Sequence, residues 1–330
     1  MSIPTDVQRQ VLLCAPYISL DELKDVCRSW KEMMCIPRFY EDRKTYGTSQ
    51  HLICLIQDVP SLFVYGITVY DPVEKTWERT PPIPCDPVSF AFNWEFVYVN
   101  EKLVVFGGCF IEIEMRARLD VVVFIYDFVS KKWRRGSNIP TSRMDFASAV
   151  SSSKGLIYVA GGEDGRGNSL STVEAYDVEE DRWEILPPMT HNRHLSEGVY
   201  LDGKFMVISG MSFGGAVAVE SSAEVFDEAT GRWQTLENMW SLQTDIMDLD
   251  SGVVSLCENL YVIVANQVMK YDAEKNAWTP VASVPQNLDF IDCAAPWREW
   301  IFVSGVNEKD YQIAYFFQPS TGQSKAVDAG

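Results

Sequence analysis

At 330 residues, 47% of them hydrophobic and 22% charged, the chain has the composition of a globular protein with at least one full core, which excludes a disordered one. Its formal charge of −18 is unevenly placed: residues 1–50 hold seven basic and seven acidic side chains, leaving 21 basic against 39 acidic beyond them. That deficit argues against phosphate-backbone binding by clustered Lys and Arg, so no nucleic-acid partner is expected.

The first 45 residues read as helices. Thr5 or Asp6 caps a segment carrying Val7, Val11, Leu12 and Cys14, which stops before Pro16. In SLDELKDVCRSWKEMM, Leu20, Leu23, Val26, Cys27, Trp30, Met33 and Met34 fall at helical spacings behind a capping box of Ser19 and Glu22. Helices this short enclose little core, so some of their apolar faces are expected to meet a partner.

From His51 the pattern changes. The runs LICLIQ, LVVFGG, LIYVAGG, FMVISG, LYVIVAN and WIFVSG, separated by turn residues, read as strands. The longest apolar run, VVVFIY at 121–126, is far too short to span a bilayer, and no membrane segment is expected. The eight cysteines form no Cys-x-x-Cys pair and no signal peptide is read ahead of them; they are expected to be reduced core thiols of an intracellular protein, cytoplasmic or nuclear.

One signature recurs five times: Tyr or Phe, then Asp, then Trp six residues after the Asp. The copies are Tyr70-Asp71-Trp77, Tyr126-Asp127-Trp133, Tyr176-Asp177-Trp183, Phe226-Asp227-Trp233 and Tyr271-Asp272-Trp278, with starts 56, 50, 50 and 45 residues apart. Each repeat supplies a strand ending in Gly, a strand ending in Tyr-Asp and a strand carrying Trp, and a fourth fits segments such as FASAV (146–150) and SEGVYLD (196–202). Four strands per repeat of about 50 residues predict propeller blades. In such blades the aromatic residues serve sheet packing, the Asp starts a tight turn by binding its own backbone, and the pairs Gly107-Gly108 and Gly161-Gly162 permit backbone conformations that a Cβ would block.

These residues resemble the kelch repeat over roughly 51–327. The pattern degrades: in the fourth repeat Gly210 is followed by Met211, Ala265-Asn266 replace the glycines of the fifth, and in the sixth Gly305 precedes Val306 while Phe317-Gln318 and Ser324 stand for Tyr-Asp and Trp. The first repeat lacks the glycines. The N-terminus resembles an F-box through Ile3-Pro4, Asp6-Val7, Ala15-Pro16, Leu20, Leu23, Val26-Cys27, Trp30 and Phe39, with Ala15-Pro16 replacing the usual Leu-Pro. The expected fold is therefore mainly β: a small all-α F-box at 1–45, a linker at 46–50 and a six-bladed kelch β-propeller at 51–327.

The resemblance, which is to plant-type F-box/kelch proteins, implies a non-catalytic substrate receptor of an SCF-type cullin-RING ubiquitin ligase, with an SKP-type adaptor and a target protein as partners and no cofactor. The alternatives are an interaction scaffold outside a ligase and a small-molecule-binding or metal-dependent kelch enzyme. The expected adaptor face is Ile3, Pro4, Val7, Leu12, Pro16, Leu20, Leu23, Val26 and Trp30. The expected target face lies on the long loops 109–120, 163–171 and 211–221, through Phe110, Ile111, Met115, Arg116, Arg118, Arg166 and Phe213, since loops on a rigid scaffold carry specificity. Arg143 and Arg193 follow successive Trp strands at nearly matching offsets and join that set, the alternative being the structural bonding for which kelch repeats often carry Arg at this place. HNRH at 191–194 has metal-like spacing without a carboxylate or Cys set, and reads as a surface loop. DLDSG at 248–252 departs from a calcium loop, and GGEDGRGNS at 161–169 lacks the Gly-Lys-Ser/Thr of a phosphate loop.

Overall fold

The computed structural model describes residues 4–59, 64–84, 90–111, 117–118, 122–213, 217–242, 252–264, 267–284, 288, 290–307, 309 and 311–327. The chain divides into two compact units, one of Met1–Pro87 with Tyr126–Arg134 and the other of Val88–Ile125 with Arg135–Gly330.

In the first unit, helices α1 (Thr5–Leu13), α2 (Leu20–Val26), α3 (Arg28–Met34) and α4 (Pro37–Thr45) enclose a small core of Leu12, Leu13, Leu20, Met34 and Phe39. Arg43 is buried there, and its guanidinium donates to the carbonyls of Leu13, Ala15 and Thr48 at 2.7–3.1 Å, capping the end of α1. Burial lowers its pKa, while its neighbours Tyr40 and Cys14 oppose that shift. A three-stranded sheet follows, of Ile53–Val59, Val64–Asp71 and Thr76–Arg79. Residues 46–50, expected to be a linker, are bonded at both ends: Thr48 N–H donates to the Arg43 carbonyl at 2.8 Å and Gln50 Nε2 to Asp71 at 2.5 Å.

In the second unit the repeats become antiparallel sheets, as the alternating apolar runs require. The third comprises Ala147–Val150, Leu156–Ala160, Val173–Asp177 and Arg182–Leu186, and the fourth, fifth and sixth repeat that order, the fourth with an added hairpin of Met211–Phe213 and Val217–Val219. The second sheet, with strands Phe90–Val99, Lys102–Ile111, Val122–Asp127 and Lys132–Gly136, contributes to both units. Separate apolar clusters lie between successive sheets: Val104, Phe106, Val123 and Ile125 meet Phe146, Ile157, Val159 and Tyr176, and Tyr158, Ala160 and Ala175 meet Phe205, Val207 and Phe226. The fold class is the mainly β, six-bladed propeller with short N-terminal helices that the repeats predicted.

The recurrent Tyr-Asp-Trp motif has a repeated physical role. In all five copies the aromatic residue pairs opposite the Trp or packs on its ring, with centroids 4.4–5.2 Å apart. The Asp carboxylate accepts two backbone N–H groups of the following turn, as Asp177 does from Glu179 and Glu180, both at 3.0 Å. The Trp indole reaches back to the preceding repeat: Trp133, Trp183, Trp233 and Trp278 donate to the carbonyls of Pro81, Ser137, Pro187 and Met239 at 2.7–2.8 Å. Phe317 pairs with Ser324 in the register that joins Tyr176 to Trp183, so the degenerate sixth repeat keeps the geometry after losing the residue.

The expectation of core thiols fails among the described residues. Cys14, Cys27, Cys35, Cys257 and Cys293 are exposed and Cys54 is half-buried. The helical three lie off the buried stripe, Cys257 sits in a hairpin turn at φ +49°, and Cys293 follows a register shift that breaks the alternation of its strand.

Candidate functional site

The helical surface separates into core and free face. Leu12 and Leu20 are 0% and 1% exposed and belong to the helical core, which corrects their assignment to the adaptor face: the four helices have too few other apolar residues to do without them. Leu23 and Trp30 pack against the same core in part, and the Trp30 indole donates to Gln8 Oε1 at 2.8 Å. Pro16 is half-buried and Pro4 exposed. Val7 and Val26 remain open to solvent at 41% and 60%, joined by Val11 at 58%, which was not among the expected face residues. Ile3 lies outside the described residues.

Within the same unit, α2 is fastened to the turn after Asp127. Tyr17 donates its hydroxyl to the Phe128 carbonyl at 2.9 Å, Lys24 reaches the Val129 carbonyl at 3.3 Å, and Lys131 pairs with Asp21 at 2.7 Å and Glu78 at 2.6 Å. Burial opposes ionisation of Asp21, yet Lys131 and Lys24 hold its pKa below the usual value.

On the expected target face, Arg143 and Arg193 are both 0% exposed, so they are structural and cannot meet a target in this fold. Arg143 donates to the carbonyls of Gly161 and Thr172 at 2.7 and 2.9 Å and pairs with Glu174 at 2.6 Å. Arg193 repeats the arrangement with Ser209, Ser222 and Glu224 at 2.9, 3.0 and 3.2 Å. The glycines make room for these loops: at Gly161, φ +68°, a Cβ would collide with the Arg193 carbonyl. HNRH is equally structural and only partly a surface loop. His191 contacts Glu224 at 3.2 Å, while His194 is 2% exposed and contacts Ser169 at 3.0 Å. Among the described residues no group of three or more His, Cys, Asp and Glu could hold a metal.

Arg166 is exposed on a compact loop in which Asp164 accepts from the backbone N–H groups of Arg166 and Asn168 at 2.8 and 3.0 Å. Phe110 and Ile111 extend a strand, Arg118 pairs opposite Phe110, and Phe213 ends one arm of the added hairpin, so the described parts of these long loops include strand pairing. Met115 and Arg116 lie outside the described residues, as does most of DLDSG.

The second unit also holds a cavity of about 260 Å³, lined by Trp94, Glu95, Asp145, Phe146, Leu195, Ser196 and Glu197. None of these was singled out by sequence. Glu95 and Glu197 lie on the innermost strands of the second and fourth sheets, while Asp145 and Leu195 occupy matching turns at φ +53° and +50°, joined by a 2.8 Å bond from the Leu195 N–H to the Asp145 carbonyl. These turns precede the innermost strands, whose starts pair with the glycine ends of their neighbours, Ala147 opposite Ala160. The cavity therefore lies at the end of the sheets from which the loops after Gly161 and Gly210 depart. Removal from water pushes Glu95 up to about 7, opposed by a 3.1 Å bond from Ser148, and with the Glu95 charge pushes Glu197 up to about 8.

Sheets that carry Gly-Gly, Tyr-Asp and Trp at a fixed register define a kelch-type propeller protein, and the Kelch motif model matches residues 147–190. The chain is 30% identical over 245 residues to F-box/kelch-repeat protein At1g15670 of Arabidopsis thaliana, covering 70% of this chain and 67% of the relative. It is 29% identical to F-box/kelch-repeat protein At1g80440 of the same plant, covering 87% and 82%, and 28% identical to At2g44130, covering 72% of this chain and 65% of that relative, slightly under two thirds of its length. The chain belongs to the F-box/kelch-repeat family. The solved "Structure of YjhT" shares the fold alone, at a TM-score of 0.62 and 11% identity over 79% of this chain and 90% of that one.

Proposed function

We propose that this chain is the substrate-recognition subunit of an SCF-type cullin-RING ubiquitin ligase, residues 1–45 acting as an F-box that docks on an SKP-type adaptor while the kelch sheets at 51–327 hold the target protein. The observation that carries the reading is the exposed apolar set Val7, Val11 and Val26, standing outside a helical core already filled by Leu12, Leu20, Met34 and Phe39. Apolar side chains left exposed after the core is complete are available to a partner. The chain would supply proximity, raising the effective concentration of a target lysine near a charged ubiquitin-conjugating enzyme. It needs no catalytic residue or cofactor of its own, and it would act in the cytoplasm or nucleus. No helix among the described residues is long and apolar enough to cross a membrane.

The test is capture of a purified SKP-type adaptor by wild type and by Val7→Asp/Val26→Asp. Both positions are exposed, so the double variant is expected to keep its thermal unfolding midpoint and lose the adaptor. A wild type that captures no adaptor would overturn the ligase reading and favour a scaffold.

A further inference from the structure

The cavity between the innermost strands carries three carboxylates, of Glu95, Asp145 and Glu197, beside the Trp94 ring. Among the described residues no basic side chain forms an ion pair with Glu95 or Glu197, whereas Glu174 and Glu224 are each matched by a buried arginine. Half-buried carboxylates without a counter-charge are costly to ionise unless a cation joins them. Ser196 gives an independent indication. It lines the same cavity, is only 8% exposed, and its Oγ has no hydrogen-bond partner. A buried hydroxyl left in that state ordinarily has a partner, and the described residues do not supply one.

The chemistry that satisfies all of these groups is an elongated cation with several N–H donors. Its charge would offset the carboxylates, its face or stem would lie on Trp94, and one donor would reach Ser196 Oγ. We propose that this cavity receives an arginine or lysine side chain from the protein held at the loop end of the sheets. This deepens the target-binding part of the function proposed above and rests on it. A polypeptide is the favoured source because the cavity lies at the end of the sheets that also carries the hairpin Met211–Phe213/Val217–Val219 and the loop bearing the exposed Arg166. The excess of 39 acidic over 21 basic residues beyond position 50 would draw a basic segment toward the chain before contact.

The test uses two peptides, acetyl-Gly-Gly-Arg-Gly-Gly-amide and its Gln-centred counterpart, with N-acetylarginine amide as a third probe, in titrations of the full chain followed by Trp fluorescence and NMR. The Arg peptide is expected to bind at least tenfold more tightly than the Gln peptide, and Glu95→Gln/Glu197→Gln is expected to abolish that preference. Equal binding of the Arg and Gln peptides to wild type, or no binding of either, overturns the proposal without recourse to a variant. Binding of N-acetylarginine amide as tight as that of the Arg peptide overturns the polypeptide source in favour of a free small cation. Adaptor capture by the same double variant is measured in parallel. Its retention with loss of the Arg preference supports the cavity assignment, whereas an Arg preference in a chain that captures no adaptor leaves the cavity standing and removes the ligase reading.

Discussion

Arg143 and Glu174 form a 2.6 Å ion pair in which neither side chain is more than 1% exposed. Fifty residues later Arg193 and Glu224 repeat it at the same separation of 31 residues, and in both cases the guanidinium also binds two carbonyls of the neighbouring strands. The arginine thus closes the end of its own sheet, and Glu224 adds to this by accepting the Thr190 and His191 N–H groups at 2.6 and 2.9 Å.

Breaking one member of such a pair strands a charge in the interior. Arg143→Met is expected to lower stability by about 3–5 kcal/mol, the cost typical of uncoupling a buried pair. Arg143→Met/Glu174→Leu should recover part of that loss, though not all, because the Gly161 and Thr172 carbonyls also lose their donor. Urea unfolding midpoints of the three proteins decide it, and a double variant less stable than the single would refute the stranded-charge account.

Lys131 joins α2 to the turn after Asp127 through Asp21 and Glu78, and its ammonium lies 4.8 Å from the centre of the Tyr17 ring. With Lys131→Met, amide hydrogen exchange over Leu20–Val26 is expected to accelerate several-fold while the third sheet stays protected, since local opening follows local contacts. Unchanged exchange in α2 would assign the attachment to Tyr17 and its bond to the Phe128 carbonyl.

Gly198 stands where two innermost strands approach closely: a Cβ there would overlap the backbone N and O of Ser148. Gly198→Ala is expected to cost about 1–3 kcal/mol by forcing strands Ala147–Val150 and Glu197–Leu201 apart. Gly231 gives the contrast, because nothing lies within 4 Å of its added Cβ and only its φ of +67° resists substitution, at about 1–2 kcal/mol. A thermal shift for Gly198→Ala no larger than that of a surface Gly203→Ala would show that the strands adjust freely.

The repeating scaffold is visible in one sequence because each blade must solve the same local problem with the same side chains: an Asp for the turn, a Trp for the preceding blade and an aromatic partner for the Trp. The offsets of Arg143 and Arg193 are equally visible, and the kelch resemblance offers a structural role for them, but their partners Glu174 and Glu224 emerge only from matching Arg and Glu 31 residues apart in both repeats. Leu12 and Val7 look alike as apolar helical positions, and which of them is buried is set by how four helices meet. The cavity was hidden for a different reason. Glu95 and Glu197 are 102 residues apart, and the one local sign is that each is a carboxylate in an innermost strand, three residues before a Tyr, at Tyr98 and Tyr200.

Those two carboxylates also fix a pH dependence. Both have folded pKa values raised from 4.5, to about 7 for Glu95 and about 8 for Glu197, chiefly by removal from water. The folded state therefore binds more protons than the unfolded chain between about pH 4.5 and pH 8, and stability must fall as pH rises through that window. Asp145, itself raised by burial and by Glu163 and lowered by His194, faces Glu95, as does Ser148; Cys293 faces Glu197. Glu95→Gln/Glu197→Gln removes both titrations while keeping shape, so the wild type is expected to lose stability relative to the variant from pH 5.5 to pH 8.5, with the gap widest at the alkaline end. Urea midpoints across that range measure it. A gap that stays constant would mean that both carboxylates are already ionised at pH 5.5 and that water reaches them freely. A gap that widens and then closes in the presence of the Arg peptide would show the cation supplying the charge that the chain withholds.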